Sequence, residues 1–133
     1  MILIDTDICI GIIRGIKHIN EKATGYPSDI IISFMTYGEL IYGAYHSNQA
    51  QRNLKKVELF ISGVKIVHSN EAIMQKFGAL KSRLRKEGNA LPDADLMIAS
   101  TALVECGHLA TGNTKHFNRL GEYGLQVENW MHE

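Results

Sequence analysis

Met1-Ile2-Leu3-Ile4-Asp5-Thr6-Asp7-Ile8-Cys9-Ile10 opens the chain and decides how the rest is read. Four apolar residues run into two acids, and apolar character then resumes at a different spacing. A short, wholly apolar run ahead of polar residues reads as a buried central strand of a parallel sheet, whose two faces are both covered. Asp5 then falls at the carboxyl end of that strand, the edge where open α/β sheets place their ligands. A carboxylate there is costly unless it is paired, hydrogen-bonded or bound to a cation. Asp5 is therefore the first candidate functional residue.

Outward from this strand, Ile8, Ile12, Ile13 and Ile16 recur at helical spacing, so a short helix is expected directly after Asp5. Gly11 and Gly15 weaken it while allowing close packing on the sheet. A second helix is expected over 17–23, and Gly25 to Asp29 reads as a turn. Ile30-Ile31-Ile32 is a second buried strand. Thr36 and Glu39 fit a capping box for a helix running to Ala44, which gives Glu39 a structural reading beside any functional one. A helix over 49–61, a strand over 64–67 and a strongly periodic helix over 70–87 follow, the last carrying Ile73, Phe77, Leu80 and Leu84 on one face. Pro92 and Asp93 open a helix that runs to about Cys106. Residues 107–111 form a fourth strand, and 124–130 an edge strand. Strands alternating with helices predict one domain over 1–133, a three-layer α/β/α sandwich with a mainly parallel central sheet.

Composition narrows the function. The chain has 133 residues, 45% of them hydrophobic and 21% charged, as in a folded globular protein. Its 14 basic and 14 acidic residues cancel, which argues against nucleic-acid binding through a general basic surface. Any such contact must use local patches or metal ions. Cys9 and Cys106 are too few for a disulfide framework and are expected as small core residues in a reducing cytoplasm. A secretory leader is not evident, and no apolar run reaches the ~18 residues of a membrane span. A cytoplasmic protein is expected.

The polar residues predicted at strand ends and helix starts are Asp5, Asp7, Glu39, Asp93, Asp95 and Asn113. A parallel sheet brings such ends to one edge. An oxygen-only donor set selects hard cations, Mg²⁺ or Mn²⁺, and a carboxylate cluster holding such ions suits phosphodiester chemistry.

Four segments then carry a resemblance, in order along the chain: 3–10, 35–44 (Met-Thr-Tyr-Gly-Glu-Leu-Ile-Tyr-Gly-Ala), 92–100 (Pro-Asp-Ala-Asp-Leu-Met-Ile-Ala-Ser) and 109–117 (Leu-Ala-Thr-Gly-Asn-Thr-Lys-His-Phe). Val127 to Trp130 adds a fifth. The chain resembles PIN-domain proteins, and within them the VapC toxins of toxin–antitoxin pairs. The resemblance implies a PIN-like fold and a Mg²⁺- or Mn²⁺-dependent endoribonuclease that cleaves RNA phosphodiesters with a metal-activated water. Asp5, Glu39 and Asp95 match the catalytic, metal-holding acids, and Asn113 matches the fourth metal position. Thr6 and Thr36 match supporting residues, with helix caps as the alternative. Asp7 stands where the group usually has asparagine; it either adds charge to the site or caps the first helix. Asp93 is expected as a cap, and His116 stands where relatives often have an acid. Arg83, Lys86, Lys115 and Arg119 are candidate RNA contacts. A homodimer and a VapB-like antitoxin are the implied partners, without a membrane. Phe34, Met35, Tyr37, Tyr42 and Tyr45 could line partner surfaces, with core burial the more ordinary fate.

Two other readings compete. Asp5-Thr6-Asp7 after an apolar strand also fits a haloacid-dehalogenase-like phosphatase with Asp5 as nucleophile, although the acidic pair that should follow Lys115 precedes it instead. A non-catalytic module on the PIN fold is the other, and the presence of all three acids speaks against it.

Overall fold

Ile2, Leu3 and Ile4 form strand β1 (Ile2–Ile4), and all three are completely buried. The computed structural model describes residues 1–132. After β1 come α1 (Thr6–Ile13), α2 (Lys17–Gly25), β2 (Ile30–Ser33), α3 (Phe34–Tyr45), α4 (Ala50–Ser62), β3 (Lys65–Val67), α5 (Glu71–Lys86), α6 (Asp93–Glu105), β4 (His108–Thr111) and α7 (Thr114–Phe117). A 3-10 segment (Asn118–Tyr123) leads into β5 (Gln126–Asn129). The sheet order is β3-β2-β1-β4-β5, and every pairing is parallel. The expected sandwich is present, with β1 central and β5 at an edge.

Alternation along β1 divides the core. Leu3 faces one way, with Ile31 and Leu109 beside it, and packs under α5 and α6 through Ile73, Leu80, Leu84 and Leu96. Ile2 and Ile4 face the other way, with Ile32 and Ala110, and pack against Ile8, Cys9, Ile19, Leu40 and Val57 of α1 to α4. Burying both faces explains why β1 and β2 read as unbroken apolar runs.

Several expectations change. Helix α3 starts at Phe34, three residues before the expected start, because the buried Ser33 hydroxyl accepts the Met35 amide at 3.0 Å. Thr36 is thus inside the helix and forms no capping box with Glu39. Gly11 does allow close packing, but against α2: a Cβ there would strike Ile19 Cδ1. Gly15, at φ 75°, ends α1 in the left-handed region. Tyr42 and Tyr45 stay about two-thirds exposed and so do not join the core, and Leu59 is more exposed still, at 77%. Cys9 is buried and Cys106 half-buried. Among the described residues no helix is long and apolar enough to cross a membrane.

Candidate active site

From β1 the chain builds β2 and β3 on one side and β4 and β5 on the other, so the strand order reverses between β1 and β4. Their carboxyl ends form the crevice where such sheets bind ligands. Asp5 lies there, 6% exposed. Its amide donates to the Ala110 carbonyl at 2.9 Å, which extends the β1–β4 ladder by one step. Its carboxylate accepts the Thr6 amide on Oδ1 at 2.8 Å and the Thr111 hydroxyl on Oδ2 at 2.7 Å. Asp5 is therefore the N-cap of α1, and Asp7 is not.

Burial pushes the Asp5 carboxyl up to about 6, and the nearby charges of Asp7 and Asp95 add to this, against the two hydrogen bonds that favour the ionised form. Asp7 is also raised, chiefly by burial, with Asp95 contributing. The Asp7 Oδ2 accepts the Gly112 amide at 2.9 Å, tying α1 to the end of β4. A Cβ on Gly112 would sit 2.7 Å from that oxygen, so the approach requires glycine. The other oxygen, Oδ1, is buried without a hydrogen-bond partner. A buried carboxylate oxygen without a donor is unfavourable and marks a place for a cation.

The remaining acids are held by hydroxyl and imidazole partners. Thr6 Oγ1 donates to Glu39 Oε1 at 2.6 Å. Thr36 Oγ1 lies 3.0 Å from Thr6 Oγ1; since the single Thr6 hydroxyl hydrogen goes to the carboxylate, Thr36 donates to Thr6. Asp95, in the first turn of α6, has Oδ2 2.8 Å from His116 Nδ1. That nitrogen also lies 3.0 Å from Asn113 Nδ2. One ring nitrogen cannot donate to Asp95 and accept from Asn113 at once, and the charged acceptor takes the proton. His116, which stands where relatives often have an acid, thus contacts Asp95 directly. The Asn113 side-chain amide lies beside the same ring nitrogen, while its backbone N–H donates to Thr111 Oγ1 at 2.9 Å.

Other predicted residues lie elsewhere. Asp93 does not cap α6, whose N-cap is Pro92; it is exposed and pairs with Lys81 at 2.9 Å. Arg83 pairs with Glu87 at 3.4 Å and lies over the Tyr123 ring, and Arg119 donates to the Asn89 carbonyl at 3.1 Å. These two guanidinium groups are occupied within the fold, whereas Lys86 and Lys115 are exposed. Sequence reasoning missed Thr111 and Gly112. The signal for Thr111 was present: like Asp5, it is a polar residue closing an apolar strand.

The donor set around the crevice is oxygen-rich and carries several formal negative charges, which fits a hard cation. Among the described residues, no three Asp, Glu, His or Cys side chains stand as a ready-made ligand group. Mg²⁺ is commonly held through one or two carboxylates together with waters. Asp5 and Asp95, joined by Glu39, are the residues that could hold it.

The PIN domain family model matches residues 2–123. The chain belongs to the PIN-domain family. Ribonuclease VapC1 of Haemophilus influenzae (strain R2866) is 34% identical to this PIN domain over 131 residues, covering 96% of each chain. The tRNA(fMet)-specific endonuclease VapC of Shigella flexneri is 33% identical over 129 residues, again 96% of each. Among solved structures, the DNA-bound VapBC of Salmonella typhimurium superposes with a TM-score of 0.89 at 32% identity, covering 97% of both chains. Membership of the PIN family sets aside the phosphatase reading of Asp5-Thr6-Asp7.

Proposed function

We propose that this PIN domain is a metal-dependent endoribonuclease, the toxin of a toxin–antitoxin pair, working in the cytoplasm. The observation that carries the proposal is the gathering of Asp5, Asp7 and Asp95 at the β1/β4 crevice, near enough for their charges to act on one another. Relatives over nearly the whole chain are named ribonucleases or endonucleases.

Asp5, Glu39 and Asp95 would hold a Mg²⁺ or Mn²⁺ ion, with Asp7 adding negative charge. Such an ion, when bound, neutralises charge on the scissile phosphate and makes water a better nucleophile. The chain's own part is positioning. Thr111 and the Thr6 amide fix the two Asp5 oxygens. The Thr36–Thr6 hydroxyl pair fixes Glu39, and His116 fixes Asp95. Such supporting contacts typically matter 10–100-fold for metal affinity or activity. Exposed Tyr42, Tyr45 and Leu59 offer apolar contact for a second copy of the chain or for a VapB-like antitoxin; the solved relatives include VapBC complexes.

The test is cleavage of total cellular RNA by purified protein with Mg²⁺ or Mn²⁺, with EDTA, and with Asp5→Ala. Cleavage is expected only with metal and an intact Asp5. Equal cleavage by the variant would overturn the proposal, and an inert wild-type protein would leave a binding module in its place.

A further inference from the structure

A cavity of about 250 Å³ opens between α1, α3 and α4. Its floor is apolar, with Ile13 and Val57, while Arg14, Asn53 and Lys56 stand among its polar residues and Glu39 also lines it. Glu39 thus belongs both to this cavity and to the acidic crevice, where it meets Thr6. The volume lies below the ~300–1,000 Å³ of pockets that enclose drug-sized ligands and suits a nucleobase.

Part of the positive charge on the α5 side is already engaged. Lys81, Arg83 and Arg119 are engaged within the fold. The Arg14 and Lys56 side chains are exposed, and neither has an ion-pair or hydrogen-bond partner among the described residues. Asn53, which also lines the cavity, donates its amide N–H to Ser47 Oγ at 2.8 Å. Two unpaired cations above an apolar floor, beside a carboxylate of the reaction site, match a single-stranded nucleotide: phosphate on the cations, base on the floor.

We propose that this cavity is the subsite for a nucleotide flanking the scissile phosphate, with Arg14 and Lys56 on RNA phosphate and the base over Ile13 and Val57. The inference rests on the ribonuclease reading above and adds where the substrate strand lies. It also replaces Arg83 and Arg119 as the leading RNA contacts.

The experiment measures binding of total tRNA to the Asp5→Asn protein at several salt concentrations, with and without Arg14→Ala and Lys56→Ala together. Each single-strand phosphate contact contributes about 0.7 to the slope of log affinity against log salt, so the double substitution should lower the slope by about 1.4. That is a loss of about 25-fold in affinity for each tenfold fall in salt below the point where the curves meet. With Asp5 intact, KM for tRNA should rise while kcat holds, and Arg14→Lys with Lys56→Arg should restore most of the slope. Both positions are exposed, so the melting temperature should not move. An unchanged slope and KM in a protein that still cuts tRNA overturns the subsite and leaves the ribonuclease reading standing. Loss of antitoxin binding with RNA binding untouched overturns it too, and assigns the cavity to a protein segment. A wild-type protein that neither binds nor cuts RNA defeats both readings.

Discussion

Asp5→Asn should make the metal-free protein more stable while removing its activity. Asp5 is almost fully buried, and its carboxyl is raised from an ordinary 3.8 to about 6. At neutral pH the folded chain therefore carries an ionised group that its surroundings disfavour. A shift of about two units corresponds to about 3 kcal/mol. Asparagine keeps one acceptor oxygen, so one of the two hydrogen bonds to Asp5 is lost, at about 1 kcal/mol. The net gain is about 2 kcal/mol, or roughly 8 °C in Tm at about 4 °C per kcal/mol for a domain of this size. The sign with pH is fixed by the direction of the shift. An acid raised in the folded state destabilises it above its folded value, and the penalty fades as pH falls from about 6 through 3.8. The variant's advantage should thus be largest at pH 7 and gone by about pH 4. Thermal melts of both proteins in EDTA at pH 7, 5.5 and 4 read it directly. A lower Tm for Asp5→Asn at pH 7, or a difference that ignores pH, would refute the account of Asp5 as a buried charge held in readiness. Added Mg²⁺ should then narrow the gap by stabilising the Asp5 protein.

Other substitutions test the surrounding shell. Thr111→Val removes the hydroxyl from Asp5 Oδ2 in a fully buried site; RNA cleavage should fall about 10–100-fold, with a stability loss of about 1–3 kcal/mol seen in urea titration. Gly112→Ala sets a Cβ against Asp7 Oδ2 and Met131, so it should cost about 1–3 kcal/mol by overpacking and disturb the β4–α1 tie, measurable by thermal melting and activity. His116→Ala frees Asp95 and should raise the Mg²⁺ concentration for half-maximal cleavage about 10-fold or more with little change in Tm, because His116 is only partly buried.

What was legible in the sequence was whatever a local pattern could carry. Ile2 to Ile4 and Ile30 to Ile32 showed their burial on both faces directly, and the strands gave the carboxyl edge on which Asp5 and Asp95 meet. The start of α3 was not legible: Phe34 and Met35 continue an apolar run, and both Ser33 and Thr36 can cap, so only the observed Ser33 to Met35 bond decides it. Asp93 shows the same limit from another side. A first-turn aspartate reads as a cap, yet its partner, Lys81, lies on another helix. Asp7 was open between capping and charge; Asp5 took the capping role, and the Gly112 amide, far off in sequence, took one Asp7 oxygen.

The bond between Thr111 and Asp5 spans 106 positions, and the Ala110 carbonyl that receives the Asp5 amide is almost as distant. During synthesis at ~5–20 residues per second, the first acid of the crevice waits roughly 5–20 s for the strand that orients it. A ribosome-tethered N-terminal portion, lacking β4, cannot assemble the crevice whatever metal is at hand. In a nuclease aimed at RNA, that order of arrival defers the hazard until β4 has been translated, and a product cut short before β4 lacks the Thr111 and Ala110 contacts of Asp5.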